Sequence, residues 1–420
     1  MGLGRNAAHL HPRLPRVATF LLSMCLAAGC FRPNLEPFVG APAPRDEEEI
    51  QLWARARRLF TAMEKEKAFR SDTALASYVN DVAMRLMPAF QLDPSSVEVR
   101  VVQDPFLSAY ALPNGKLMVS EGLLAQLDSE AQLACVLGHE ITHFAERHAY
   151  AQRLHDEKTV SAVRGLLVVL LAGSGGAMAL PGPSVVLDLL AGPEGSLLVW
   201  QVRGFARDLE YRADRRGWEA ARASGYDGAH CAAAMERLLE EEQLLVAEQK
   251  VPEPYYYGDH PATAERLERL RAWNETEVPP ALKTAIRNEG EFLERTAAVR
   301  LDVASVNMKI RRYSRARRLI DRHLAAFPHR ADGYVALGDW YRLDTNARDL
   351  AAARRAYEQA LALDPEFAPA HREMGLWCRE HKDAACARRH LRRYLELSPQ
   401  AIDRGIVEGM LQELQGGLPQ

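Results

Sequence analysis

His139, Glu140 and His143 stand as H-E-x-x-H in the stretch LGHEITHFAERHAY, residues 137–150. On a helix, residues i and i+4 lie one above the other, so both imidazoles can face one metal ion. Glu140 adjoins the first imidazole, where a carboxylate can take a proton from a water activated by the metal. The chemistry this spacing allows is zinc-assisted hydrolysis, with one Zn2+ per chain. The motif lies in an apolar helical pattern, LACVLGHEITHFA, which is the setting an internal metal site needs.

A catalytic zinc takes a third protein ligand and keeps a fourth position open. The residue six positions after His143 is Ala149, so a further histidine at that spacing is absent. Glu210 and Asp214, at i and i+4 in FARDLEYRADRRGWEAA (205–221), offer carboxylates on a second helix. Glu210 can ligate the metal, while Asp214 can accept the remaining N–H of a histidine ligand and fix its tautomer. His148 comes five residues after His143, rotated off the ligand face, and reads as structural support. Cys135, one turn before His139, reads as a packed thiol. His155, His230, His323, His329, His371, His381 and His390 have no evident partners in the sequence and are expected at the surface. Tyr255, Tyr256 and Tyr257 read as ordinary packing.

These side chains need elements to hold them. Apolar residues recur at helical spacing from Ile50 to about Phe90, broken near Pro88, which predicts two helices. SVEVRVV (96–102) alternates as a strand does. AYALPNGKLMVS (109–120) reads as two short strands around Asn114-Gly115, a dipeptide suited to the positive φ angles of a tight hairpin turn. An edge strand at Ala109, Tyr110, Ala111 and Leu112 can take an extended polypeptide by strand addition. A helix from about Ser129 then carries the metal motif. Residues 165–187 are uncharged, but five glycines and two prolines break any spanning helix there. They read as an apolar hairpin that covers the site or touches a membrane surface.

After about residue 300 the texture becomes Ala-, Arg- and Leu-rich. Leu337-Gly338 recurs as Met374-Gly375, and Asp364-Pro365 as Ser398-Pro399. YVALGDWY (334–341) followed by AAARRAYEQALALDP (351–365) resembles the tetratricopeptide pattern, with a degenerate first repeat over about 299–330. Small residues such as Gly338 and Ala360 let such helix pairs stack.

At the N-terminus, Arg5, Arg13 and Arg16 precede an apolar run from Val17 to Ala28, the layout of a secretory signal. Its end, LAAGC, resembles a bacterial lipobox, with cleavage before Cys30 and lipid on that thiol, so the mature chain is tethered rather than spanning. Export permits disulfides: Cys378 and Cys386 form one or remain free thiols. A net charge of −3 with 26% charged residues gives no electrostatic footprint for nucleic acid. The expected organisation is a signal at 1–29, a flexible tether at 30–49, a metallopeptidase domain at 50–298 and repeats at 299–417. The fold class is mainly α (α+β): a zincin-type helical domain with a small sheet and hairpin, followed by an α-solenoid.

HEITH followed by E-Y-R-A-D resembles the gluzincin metallopeptidases that include HtpX and the CAAX prenyl protease. The likeness covers about residues 50–275. It extends to SAYALPNGKLMVSEGLL, where Ser108 replaces the usual asparagine, and to DHPATAERLERL (259–270). The resemblance implies that His139, His143 and Glu210 bind zinc, that Glu140 is the base and that Asp214 buttresses a ligand. It implies that His260 stands at the cleft, either stabilising the transition state or taking the fourth zinc position as an inhibitory switch. Arg266 would support or stabilise the site. Joined to repeats, the layout is similar to periplasmic members of the family. That implies an endopeptidase for unfolded or misassembled envelope proteins, lipid-anchored to the outer membrane on its periplasmic side. The repeats would dock substrates or outer-membrane assembly machinery. The other reading is a latent protease acting as a chaperone or scaffold for outer-membrane protein assembly.

Overall fold

The computed structural model describes residues 35–155, 207–247, 264–277, 285–345 and 348–415. The expectations for Cys30, residues 165–187, Tyr255–Tyr257 and His260 lie outside these residues.

Two helices open the described chain, α1 (Glu47–Lys65) and α2 (Thr73–Phe90). Their N-termini are capped by Asp46 and Asp72, whose carboxylates accept from the N–H groups of Glu49 and Leu75. The break between them is not at Pro88, which sits inside the last turn of α2. It falls at residues 66–72, where Lys67 takes a positive φ of 56°.

Three strands follow: β1 (Glu98–Val102), β2 (Ala109–Ala111) and β3 (Lys116–Ser120), in the order β1-β3-β2. β1 runs parallel to β3 with Glu98 opposite Lys116, and β2 runs antiparallel with Ala109 opposite Val119. Of the turn dipeptide, only Gly115 takes a positive φ (80°); the turn closes from Gly115 N–H to the Leu112 carbonyl at 3.1 Å. Asn114 needs no such angle because the turn spans Leu112 to Gly115 and the left-handed position is the glycine that closes it. A Cβ on Gly115 would stand 2.0 Å from the Ser96 carbonyl oxygen, so the hairpin requires glycine there.

Next come α3 (Glu121–Gln126) and α4 (Glu130–Ala145), the second buried along its whole length. Ser129 caps α4, and Glu130 in its first turn accepts from Tyr78, Arg85, Tyr226 and Asn288. That one buried carboxylate ties the start of α4 to its surroundings. Arg147, at φ 59°, ends the helical path, and a new helical run begins at His148. Against α4 pack α5 (Arg207–Ala223) and α6 (Ala229–Ala247), and α7 (Ala264–Glu277) packs in turn on these two. Among the described residues no helix is long and apolar enough to cross a membrane.

The expected tether is corrected where it is described. Phe38 is buried against Trp53 and Phe144, and its N–H donates to the Ala145 carbonyl at 2.8 Å. The Gly40 N–H also donates to the Gln91 carbonyl at 2.8 Å and its carbonyl accepts from the Asp93 N–H at 2.8 Å, so the segment is docked by main chain as well as by Phe38.

The C-terminal part is built of helix pairs: α8 (Glu289–Lys309) with α9 (Tyr313–Ala326), α10 (Ala331–Leu343) with α11 (Leu350–Leu363), and α12 (Ala368–Glu380) with α13 (Ala384–Leu397). A last helix, α14 (Arg404–Glu413), follows. Within the pairs, a Cβ on Gly338 would stand 2.3 Å from Tyr357, and one on Gly375 2.7 Å from Leu391. The expected domain boundary at 298/299 falls inside α8. Phe292, Val299, Val303, Leu319 and Ile320 share one apolar core with α2 and α4, whereas Tyr357, Met374 and Leu391 belong to a separate one. Buried Arg300 on α8 donates to the Ala125 and Leu127 carbonyls at the end of α3, so the first pair is fused to the preceding domain.

Candidate metal centre

The two helices that carry the chemistry cross at two glycines. A Cβ on Gly138 would stand 2.9 Å from the Gly217 carbonyl oxygen, and one on Gly217 2.6 Å from the His139 nitrogen. With no side chain between the backbones, α5 lies close enough to α4 for Glu210 to reach both histidines. Glu210, Ala213, Asp214, Gly217 and Trp218 form the buried stripe of α5, spaced as one helical face.

His139 Nε2 and His143 Nε2 are 3.0 Å apart, and Glu210 places one carboxylate oxygen 3.5 Å from each. These three buried ligand atoms all lie within 4.8 Å of one another. Tetrahedral zinc with ligand bonds of roughly 2.0–2.1 Å spaces its donors about 3.3 Å apart, so the donor set fits that ion. Glu140 is buried beside His139 at the wall of a small cavity of about 40 Å³. That volume holds a water molecule, which needs roughly 10–15 Å³ of such space. Cys135, Asp214, Trp218, Cys231 and Arg266 also border the cavity.

Each histidine is gripped from behind. Asp214 Oδ1 lies 3.0 Å from His139 Nδ1, and Arg266 on α7 donates to both Asp214 oxygens at 2.7 Å. Arg266 also lies 3.0 Å from Glu210 Oε2, so its charge balances the two carboxylates. Burial opposes ionisation of Asp214, yet the Arg266 guanidinium and the His139 contact hold its carboxyl below the usual range. Burial alone would lower the His139 pKa; hydrogen bonds to Asp214 and Glu210 and their charges outweigh it and push it up to about 10. A metal ion binding there displaces that proton.

His148 does not lie where a continuous helix would put it. Because the helix ends at Ala145 and Arg147 turns the chain, His148 Nδ1 comes back to 2.9 Å from His143 Nδ1. Arg147 is itself held by Glu49 of α1 through two hydrogen bonds of 2.7 and 2.8 Å. Only a helix end could have revealed this contact in the sequence, and HFAERH contains neither glycine nor proline to mark one.

Other expectations are corrected. Cys135 is a disulfide partner of Cys231, joining α4 to α6, rather than a packed thiol, whereas Cys378 and Cys386 form the expected bond. His323 is fully buried with Asp332 at 2.9 Å, His230 lies 2.6 Å from Ser129 Oγ, and His371 and His390 meet at 3.0 Å. Ala109–Ala111 form one of the two border strands of the sheet, and Leu112 beyond them is buried.

The description "Peptidase family M48" matches residues 73–274. The chain is 27% identical over 177 residues to the beta-barrel assembly-enhancing protease of Escherichia coli (strain K12), covering 41% of this chain and 34% of that protein. It is 23% identical over 302 residues to the putative beta-barrel assembly-enhancing protease of Vibrio cholerae, covering 68% and 58% respectively. It is 27% identical over 198 residues to the mitochondrial metalloendopeptidase OMA1 of Schizosaccharomyces pombe, covering 47% and 52%. The chain thus spans between a third and three-fifths of the length of these curated relatives.

Proposed function

We propose that this chain, which through residues 73–274 belongs to peptidase family M48, is a zinc metalloendopeptidase acting on unfolded or misassembled proteins of the cell envelope. The observation that carries the reading is the convergence of His139, His143 and Glu210 within 4.8 Å, with Glu140 beside them. When bound, zinc supplies a Lewis acid for the scissile carbonyl and acidifies water toward neutrality.

The chain's own residues do the rest. Glu140 takes the proton from the attacking water and passes it to the leaving amine. Asp214 keeps the His139 proton on Nδ1 and so directs Nε2 at the metal. Arg266 offsets the charge of Asp214 and Glu210, which would otherwise be costly to bury together. His260 acts at the cleft, either on the transition state or as a fourth ligand that holds the enzyme latent. The border strand from Ala109 to Leu112 takes substrate as an added strand, which selects extended backbone over sequence. The helix pairs, read as tetratricopeptide repeats, dock substrates or outer-membrane assembly machinery. Lipid on Cys30 holds the chain on the periplasmic side of the outer membrane. The names of the bacterial relatives favour this envelope setting.

The test is cleavage of unfolded casein, with and without a chelator, by wild type, Glu140→Gln and His260→Ala. Chelator-sensitive cleavage that disappears in Glu140→Gln is expected. If neither wild type nor His260→Ala cleaves, the peptidase reading fails. Cleavage by His260→Ala alone supports the latent form, whose work is that of a chaperone or scaffold.

A further inference from the structure

His143 presents Nε2 to Glu210 and to His139, leaving Nδ1 on the far side of the ring. A neutral imidazole carries a single N–H, so when Nε2 serves as a metal donor the proton sits on Nδ1. The atom facing that proton is Nδ1 of His148, 2.9 Å away, with the rings edge to face at 4.9 Å. His148 Nδ1 must then accept, which places its own proton on Nε2. That nitrogen lies 3.3 Å from Glu146 Oε2, and a carboxylate can only accept. Glu146 in turn is ion-paired at 2.5 Å with Arg212, two residues from Glu210 on α5. Every donor in this series meets an acceptor, and one assignment of protons satisfies all of it.

We infer that His148, Glu146 and Arg212 form a positioning relay for His143, the counterpart of Asp214 and Arg266 behind His139. The inference rests on the reading of His139, His143 and Glu210 as a metal centre. His148 is a positioning residue: it touches the ligand, not the substrate. Its chemistry differs from that of Asp214 for an electrostatic reason. Glu140, Glu210 and Asp214 are already buried carboxylates, and Arg266 is the counter-charge that Glu210 and Asp214 share. A further buried anion behind His143 would need another buried cation. A neutral imidazole instead hands the hydrogen bond outward to Glu146, whose charge is met by the half-exposed Arg212. The relay also bridges the helix break to α5, so the same contacts that orient His143 tie it to the helix carrying the third ligand.

The experiment is zinc affinity by competition with a chromophoric chelator, together with the visible spectrum of the cobalt-substituted protein, which reports ligand geometry without turnover. His148→Ala should weaken zinc about 10- to 100-fold and alter the cobalt spectrum. His148→Gln, whose amide can accept from His143 and donate to Glu146, should recover most of that loss. Arg212→Ala, made at a half-exposed side chain, should shift affinity in the same direction by less, and it serves if His148→Ala fails to fold. Wild-type affinity and spectrum in His148→Ala, or in Arg212→Ala where the former does not fold, overturns the relay. An equal loss in His148→Gln and His148→Ala also overturns it, since packing alone would then explain the effect. A wild-type chain that binds no zinc defeats the metal-centre reading itself, a result distinct from both.

Discussion

Gly138 and Gly217 meet backbone to backbone, the residue before His139 of the candidate metal centre against the residue seven after Glu210. A side chain on either would press on main-chain atoms at less than 3 Å, and main chain cannot rotate away. The distance between the two helices, and with it the reach of Glu210, depends on this contact.

Gly217→Ala should therefore cost about 1–3 kcal/mol through overpacking and weaken zinc binding at the same time. Urea denaturation and chelator competition measure the two effects. Gly409→Ala is the control, since a Cβ there meets open space. It should be neutral or stabilising by up to about 1 kcal/mol, as expected for alanine within a helix. Equal behaviour of the two variants would show that the helices do not touch at Gly217.

Glu49 and Arg147 form a two-bonded ion pair with both side chains almost wholly buried. Glu49→Ala leaves the Arg147 charge without its partner in the interior, which should cost about 3–5 kcal/mol. Because Arg147 turns the chain toward His148, zinc affinity should fall as well. A loss below about 1 kcal/mol would mean that the pair is open to solvent.

Reduction should separate the two disulfides by the length of chain each closes. Cys135 and Cys231 are 96 residues apart, Cys378 and Cys386 only 8. Removing the first by paired alanine substitution should cost about 4–5 kcal/mol in the chain-entropy limit, the second about 2–3 kcal/mol. Denaturation midpoints of the two double variants, with and without reductant, check the order. A reductant effect that survives in the four-alanine protein would assign it elsewhere.

The His371–His390 pair predicts an acid-sensitive step in the last helix pair. Burial, the neighbouring Arg389 and His371 lower the His390 pKa to about 4. The unfolded imidazole titrates near 6.5, so between about pH 6.5 and 4 the unfolded chain binds more protons and stability is lost as the pH falls. Glu373, raised to about 7 mainly by burial, works in the opposite sense over part of that range. The measurement is thus the difference in melting temperature between wild type and His390→Asn at pH 6.5, 5.5 and 4.5. His390→Asn should gain relative to wild type on acidification; parallel curves would dispose of the pair as a pH-sensitive contact.

What one element could express was legible in the residues. His139 and His143 share a face because helical geometry dictates it, and SVEVRVV alternates because a strand with one buried side must. The hairpin at Gly115 and the paired helices around Gly338 and Gly375 were equally local, since each depends on contacts within a short span. Relationships between elements were not. Cysteine spacing leaves connectivity open, so the bond from Cys135 to Cys231 emerged only when α6 was placed against α4. The sequence reads His148 as structural support, but its contact with His143 depends on a helix break that tertiary contacts from Glu49 to Arg147 hold. Residues 35–46 looked like a polar tether because composition averages over the single buried Phe38. The ligand types and their first spacing were thus written in the sequence. Their convergence was decided by the Gly138–Gly217 crossing, because how closely two helices approach depends on both surfaces together.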